Sequence, residues 1–153
     1  MTFENQISNY VLGFLDEKSI PTIGITALSE GIESENIKII AGMSPTDNHF
    51  ELKEYFLQAL QENGIYLPTK KNALKNILSP AINQILSKKI DILNGCLQLT
   101  KIVNQTEFEW SELKLMSIYL ALVDVGENDL QEINSEKTKS KIFRELENYK
   151  NST

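Results

Sequence analysis

A repeat of paired apolar residues constrains the fold of this chain more than any other sequence feature. The pairs recur every four positions and are Ala73-Leu74, Ile77-Leu78, Ala81-Ile82 and Ile85-Leu86. Residues at this spacing lie on one side of an α-helix, so the segment predicts a helix with one buried face. Pro80 lies inside the repeat, so either the helix kinks there or Ser79 caps a new helix with Pro80 in its first turn. Because the phase is kept through Pro80, we expect the kink.

A second apolar seam follows after a short break at residues 88–91. It consists of Ile92, Cys96, Leu99 and Val103, spaced for one side of a second helix. Two consecutive amphipathic helices with a short connection form an antiparallel helical hairpin. The sequence therefore predicts a central hairpin at about residues 69–104, around which we expect the rest of the chain to pack.

Helix signals before this hairpin predict four further helices. The first runs from Phe3 to about Leu15, the second has Pro21 in its first turn and ends near Gly31, and the third begins at Ser34. A fourth helix should begin at the capping signal Ser44-Pro45-Thr46-Asp47. Its apolar residues are Phe50, Phe56, Leu57 and Leu60, and its end is expected at a left-handed Gly64.

Two more helices are predicted after the hairpin. Thr106 and Glu109 form a capping signal for a helix that carries Trp110 and continues through residues 115–123, where apolar residues occur nearly all round. We therefore expect that helix to be the most buried. A strand at residues 118–125 is the alternative, but it would lack a partner strand elsewhere in the chain. The last helix should span about residues 135–150, and residues 151–153 should fray.

Together these patterns predict an all-α protein. Eight helical segments are named above, and we expect them to form six or seven helices in a compact single-domain bundle, or in a short stack of α-hairpins, that covers residues 1–153. A chain of 153 residues is one domain by the usual size relation, and it can bury enough apolar surface to fold without disulfides or a metal.

The compartment is expected to be the cytoplasm. Only one cysteine is present, and no apolar targeting segment follows Met1. The strongest apolar run, residues 115–123, is far shorter than the roughly 20 residues that a membrane span requires. We therefore expect no membrane partner.

Charge is distributed unevenly along the chain. The net charge of −6 disfavours nucleic acid as a partner, because binding to phosphates requires a basic surface. Residues 68–90 nevertheless carry five lysines and no acid, between two acidic segments. We call these lysines the basic strip: Lys70, Lys71, Lys75, Lys88 and Lys89. Such a run is usually a solvated helix face, and a docking surface for a protein is the alternative.

No catalytic or metal-binding motif occurs in the sequence. His49 is the only histidine and is expected on the surface of a helix's first turn, and Cys96 is expected to be a buried small hydrophobe. The acids at 124, 127, 129 and 132 do not have the spacing of an EF-hand loop. The glycines do not cluster as in a phosphate-binding loop. We therefore expect no catalytic residue, no metal and no cofactor.

A pattern in the first half of the chain resembles small uncharacterised bacterial all-helical proteins. Its residues are Ala27-Leu28, Gly31, Ser34, Ile37, Ile40-Ala41-Gly42, Asn63-Gly64-Ile65 and Leu67-Pro68. The chain departs from the pattern at Ile32 and Glu33, where an aromatic residue and an aspartate would be expected. The resemblance implies a helical fold and no particular activity.

These observations favour a non-catalytic helical module that binds another protein. One version is an immunity- or antitoxin-like protein, because small acidic proteins can mask basic enzymes by electrostatic complementarity. The alternative is a small-molecule binder or enzyme with a pocket between helices near Trp110, where Tyr66, Trp110 and Tyr119 could contact a ligand. The chain is expected to be a monomer, or a homodimer formed through the last helix.

Overall fold

The structure, a computed structural model, describes residues 1–123 and 135–152, except for the side chain of Val123. Eight α-helices and no strand lie in this part of the chain. The helices are α1 (Phe3–Val11), α2 (Ile20–Ser29), α3 (Glu35–Gly42), α4 (His49–Glu62), α5 (Lys70–Leu86), α6 (Ile92–Val103), α7 (Met116–Val123) and α8 (Glu136–Asn151). A 3-10 turn, Glu17–Ser19, precedes α2.

The all-α prediction is confirmed for these residues, and the predicted number of six or seven helices is wrong. The strand alternative is also wrong over residues 118–123, which belong to α7. The acids predicted to form no EF-hand lie outside the described residues, and so does Gly126 to Asp129, where the sequence predicts a loop.

The chain divides into two compact units, unit 1 (Met1–Ile77) and unit 2 (Leu78–Thr153). The division falls within α5. Whether the two units make up one domain, as a bundle or as stacked α-hairpins, stays a prediction.

Unit 1 has a continuous apolar core. It is built from buried residues of α1 to α4: Phe3, Ile7, Ile20, Ile23, Ala27, Ile37, Ile40, Leu52, Phe56, Ala59 and Leu60. In α4 the buried residues recur at positions 52, 56, 59 and 60, which is one side of a helix. Phe50 and Leu57, which the sequence also marks as apolar residues of this helix, are exposed.

Gly24 lets α2 and α3 approach closely. A Cβ atom built on Gly24 would lie 2.7 Å from Ile40 Cγ1 and 2.8 Å from the backbone nitrogen of Ala41. Real Cβ atoms do not approach backbone atoms this closely, so only glycine fits at this crossing.

Both helices predicted at about residues 69–104 are present, as α5 and α6, whereas their arrangement as a hairpin stays a prediction. Ile77, Ala81 and Leu86 of the paired repeat are half-buried, and its other five members are buried. Helix α5 is one helix that continues through Pro80, and its buried residues are Ala73, Leu74, Leu78, Ile82 and Ile85. In unit 2, Gly95 of α6 lies against Ile85, where an added Cβ would come within 2.7 Å of the Ile85 Cδ1. Asp91 begins α6 by accepting a hydrogen bond from the Asn94 backbone N–H at 3.0 Å.

Two predicted helix boundaries before the hairpin are wrong. Helix α1 ends at Val11 rather than near Leu15, because Gly13 takes a left-handed conformation with φ 77° and turns the chain. Helix α4 is capped by Asn48, whose side chain accepts from the Phe50 N–H at 2.9 Å. The predicted cap at Ser44 instead closes a separate turn, in which the Ser44 N–H donates to Asp47 Oδ2 at 2.7 Å.

The prediction for the helix after the hairpin is also wrong in part. Residues 110–113 form only one turn, which ends where Lys114 takes a left-handed conformation with φ 56°. Leu115 donates its backbone N–H to Trp110 at 3.1 Å and closes this turn. Helix α7 therefore begins at Met116, and it is not fully buried, because Tyr119 and Leu120 are exposed.

The last helix agrees with the prediction in position. Ser135 caps α8, and its hydroxyl accepts from the Thr138 N–H at 3.3 Å. Ile142 and Leu146 are fully buried, and Tyr149 is nearly so. Within unit 2, Glu145 of α8 accepts hydrogen bonds from the backbone N–H and the hydroxyl of Ser117, both at 2.9 Å. Thr153 lies outside the described residues.

Candidate functional site

The lysines of the basic strip belong to two different units and are therefore described separately. Lys70, Lys71 and Lys75 lie in the first turns of α5 in unit 1, where Lys70 and Lys71 are exposed and Lys75 is half-buried. Lys88 and Lys89 follow the end of α5 in unit 2, and both are exposed.

Lys88 has a structural role in addition to its charge. Its φ of 56° is left-handed, a backbone conformation that residues other than glycine rarely adopt. Its backbone N–H donates to the Ile85 carbonyl at 3.0 Å, and that of Lys89 donates to Gln84 at 2.9 Å. This is the Schellman pattern of hydrogen bonds, so Lys88 ends helix α5.

The three aromatic residues predicted to line a pocket lie in different surroundings. Tyr66 is in unit 1 and is 90% exposed. Trp110 and Tyr119 are neighbours in unit 2, with ring centroids 6.4 Å apart. Trp110 is buried and donates its indole N–H to Asn104 Oδ1 at 3.4 Å, whereas Tyr119 is partly exposed.

Unit 1 also has an open groove that the sequence did not reveal. Its volume is about 580 Å³. Apolar and charged side chains from α1, the turn after α1, α4 and the start of α5 surround it: Tyr10, Val11, Leu15, Asp16, Glu17, Lys53, Leu57, Leu67, Pro68 and Lys70, together with Gly13. We call this site the unit 1 groove.

A second cleft lies beside the unit 1 groove. It has a volume of about 250 Å³ and is lined by residues of the α4 C-terminus and of the connection to α5. Leu57 and Leu67 line both sites, and Tyr66 lines the cleft. Leu57 is 43% exposed, Leu67 40% and Tyr66 90%. The three residues line the same cleft and form an exposed apolar patch, which we call the Leu57 surface.

Two tight turns position the residues of these sites. The turn at Gly13 directs the chain into the segment that carries Asp16 and Glu17, and the Asp16 side chain caps the following 3-10 turn by accepting from the Lys18 N–H at 3.1 Å. Gly64 takes a φ of 64° after α4 and brings the chain into the extended connection that carries Tyr66. In both cases, glycine supplies the left-handed conformation that the turn requires.

Tyr10 joins the unit 1 groove to the core. Its ring packs edge-on against Phe56, with centroids 5.2 Å apart, and its hydroxyl donates to Glu17 Oε1 at 3.4 Å. Burial raises the pKa of Tyr10, and the nearby negative charge of Glu17 raises it further. Tyr10 is thus a neutral hydrogen-bond donor that holds the Glu17 carboxylate at the groove.

The remaining candidates for a chemical role are His49 and Cys96, and among the described residues neither belongs to a metal-binding group of side chains. His49 lies at the start of α4 and is exposed, as predicted. Cys96 is fully buried, and burial, together with the charge of Asp91, raises the pKa of its thiol to about 12. Among residues 1–123 and 135–152, no group of three or more His, Cys, Asp or Glu side chains could hold a metal ion.

A sequence signal for the Leu57 surface was available. Helix α4 has two apolar stripes: one at positions 52, 56, 59 and 60, and another formed by Phe50 and Leu57, which are two helical turns apart. Only one stripe can face the core of a small unit, so the second had to be exposed. Which stripe is buried depends on packing against α2 and α3, which the sequence alone does not give.

The chain was compared with protein-family models, with curated proteins and with solved structures, and it matches none of them. In the part of the chain that the structure describes, every helix is too short or too polar to span a bilayer.

Proposed function

We propose that this chain is a non-catalytic binding module whose unit 1 binds a basic partner protein. The observation that carries the proposal is the Leu57 surface, where three large apolar side chains are exposed around two adjoining concave sites. Contiguous exposed apolar residues with a polar rim are typical of protein-binding surfaces, and tyrosine is enriched in them.

The charge of unit 1 supports a basic partner. Residues 1–77 carry ten acidic side chains and six lysines, a formal charge of −4. The exposed face of α4 contributes Glu51, Glu54 and Glu62 against Lys53. An acidic surface attracts a basic protein over a distance of about a Debye length and increases its association rate.

An immunity- or antitoxin-like role is a special case of this proposal. Such a protein would cover the basic substrate-binding surface of a partner enzyme through charge complementarity and a few apolar anchors. We propose the cytoplasm as its compartment. In this proposal the protein acts as a monomer, since Ile142 and Leu146 of α8 are already buried within a single chain.

Affinity capture from a cell lysate tests the proposal. The tagged full chain should retain a partner with a net positive charge at about 50 mM salt and lose most of it at about 500 mM, because salt screens the attraction. The purified partner should then bind the chain directly. If no partner is retained at low salt, or if only acidic proteins are retained, the proposal is wrong.

A pair of matched variants identifies the surface. Tyr66→Asp should abolish capture of the partner, because it places a charge in the apolar patch. Ile25→Asp should leave capture unchanged, since Ile25 is 56% exposed in the same unit but lines neither the groove nor the cleft. Equal loss of capture in both variants would mean that the Leu57 surface is not the binding surface.

The second candidate is a small-molecule site near Trp110. The observation that favours it is the adjacent Trp110–Tyr119 pair, whose tyrosine is partly exposed in unit 2. Trp110 is the only tryptophan, so its fluorescence can be followed while a library of metabolites is added. A saturable change that Tyr119→Ala removes would favour this candidate over protein binding.

A further inference from the structure

We propose that the unit 1 groove binds an amphipathic segment of the partner, with an arginine side chain at Asp16 and Glu17 and neighbouring apolar side chains against Leu57 and Leu67. This inference rests on the proposed function, and it adds where the partner binds and which residue types it must present. Four observations on the groove support it.

The first observation is the shape and lining of the groove. A volume of about 580 Å³ lies within the range of known ligand sites, which is roughly 300–1,000 Å³. Apolar side chains from α1, α4 and the connection to α5 line it, namely Val11, Leu15, Leu57, Leu67 and Pro68. An amphipathic helix that lies in such a groove buries its apolar face there.

The second observation is the pair of carboxylates at the groove. Asp16 and Glu17 are consecutive residues in a turn fixed by the Asp16 cap, and the Tyr10 hydroxyl holds Glu17 from one side. Each carboxylate can accept about four hydrogen bonds, so both keep acceptor sites for an incoming donor. A guanidinium, with five planar donors, is suited to carboxylates held in this way.

The third observation is that the ring of Tyr10 is anchored by its edge-on contact with Phe56. Tyr10 lines the groove, so an arginine that binds Glu17 also comes close to an aromatic ring. Arginine stacks on aromatic side chains as well as binding carboxylates, which lysine does less well. The groove should therefore prefer arginine to lysine.

The fourth observation concerns the two lysines that line the groove. Lys53 and Lys70 come from different helices and have long flexible side chains, whose methylene groups can lie along an apolar surface. Asp16 and Glu17, in contrast, lie on a tight turn that the Asp16 cap fixes. Together with the charge of −4 on residues 1–77, this favours a cationic occupant.

Model peptides test the inference with the full chain. The probe is a labelled helical peptide of about 14 residues made of leucine and arginine, with the leucines on one side. Control peptides carry lysine or glutamate in place of arginine. Fluorescence anisotropy should give the lowest Kd for the arginine peptide, a Kd several-fold higher for the lysine peptide, and at least about a tenfold higher Kd for the glutamate peptide.

Two matched pairs of variants locate the binding. Leu57→Asp and Glu17→Lys should each raise the Kd of the arginine peptide by about tenfold or more. Leu97→Asp and Glu4→Lys should change it less than about threefold, because Leu97 is a comparably exposed leucine of unit 2 and Glu4 is an exposed acid of unit 1 outside the groove. Circular dichroism of each variant checks that the helices remain.

The outcomes separate this inference from the proposed function. If a captured partner binds the Glu17→Lys variant as tightly as the unchanged chain but is lost by Tyr66→Asp, the groove is not the site, while the proposed function stands. If the glutamate peptide binds as tightly as the arginine peptide, or if the control variants weaken binding as much as the groove variants, the inference is wrong. If no partner is captured by the unchanged chain, the proposed function itself is wrong.

Discussion

Replacement of Gly24 by alanine should destabilise unit 1, although alanine is the better helix former. The added Cβ would lie 2.7 Å from Ile40 Cγ1, 2.8 Å from the Ala41 nitrogen and 3.1 Å from the Ala41 Cα. The side chain of Ile40 can change its rotamer, but the Ala41 backbone moves only if helices α2 and α3 separate. That separation would loosen the packing of Ile23 and Ile37 in the core.

The magnitude follows from two opposing contributions. Alanine in place of glycine within a helix stabilises by about 1 kcal/mol. Forcing a methyl group into a packed interior costs about 1–3 kcal/mol, and contact with backbone places Gly24 at the upper end of that range. We therefore expect the free energy of unfolding to fall by about 2 kcal/mol in Gly24→Ala.

Gly42→Ala is the matched control. Gly42 ends helix α3, and a Cβ atom built there meets nothing within 4 Å. Only the gain in helix propensity applies, so this variant should be more stable than the unchanged chain by about 0.5–1 kcal/mol. The two glycine-to-alanine substitutions should thus shift stability in opposite directions.

Urea unfolding followed by far-UV circular dichroism measures both variants. The fluorescence of Trp110, which lies in unit 2, should be followed in parallel to report that unit separately. In thermal unfolding, 1 kcal/mol corresponds to about 4–8 °C for a unit of 60–100 residues. If Gly24→Ala is as stable as Gly42→Ala, the close approach of α2 and α3 is wrong.

Three further predictions follow from unit 2 and from α5. Lys88→Gly should raise the free energy of unfolding by up to about 1 kcal/mol, because it removes the backbone strain of a lysine held at a left-handed φ of 56°. A thermal midpoint lower than that of the unchanged chain would contradict this prediction. Ile82→Asp should lower the free energy of unfolding by several kcal/mol, since Ile82 is fully buried. Lys71→Glu, on the exposed face of α5, should change the free energy of unfolding by no more than about 0.5 kcal/mol. Equal thermal shifts in the two variants would be inconsistent with the face assignment. Cys96 in the native protein should react with a thiol reagent at neutral pH far more slowly than in denaturant. The reason is that a rise in its pKa from 9.0 to about 12 leaves about a thousandfold less thiolate. Equal rates would show that Cys96 is not buried.

The groove itself could be predicted only in part. Leu57 was predicted to be an apolar residue of α4, but its exposure was not predicted, because periodicity does not tell which of two stripes on α4 faces inward. Asp16 and Glu17 carry no motif, and they reach the groove only because Gly13 ends α1 early and turns the chain. The predicted first helix continued past that glycine to about Leu15, and no prediction was made for the two acids.

The helix boundary at Lys114 was missed because no glycine marks it. Gly64 ends α4 as predicted, because glycine adopts a left-handed conformation at little cost and is recognisable in a sequence. Lys88 and Lys114 take the same conformation without any such signal. For a lysine, the strain is offset by the tertiary packing that fixes the turn, so the boundary at Lys114 could not be predicted from local residues.

The sequence by itself determined the helical class, the buried face of α5 and the helix starts at Ser34 and Ser135, because these depend on residues within one or two helical turns of each other. Only the tertiary structure decided that Gly24 lies against Ala41 and that Leu57 and Asp16 line one groove. Such contacts join residues far apart in the chain, and they form only when the core has selected one arrangement of the helices among many that the same periodicity allows.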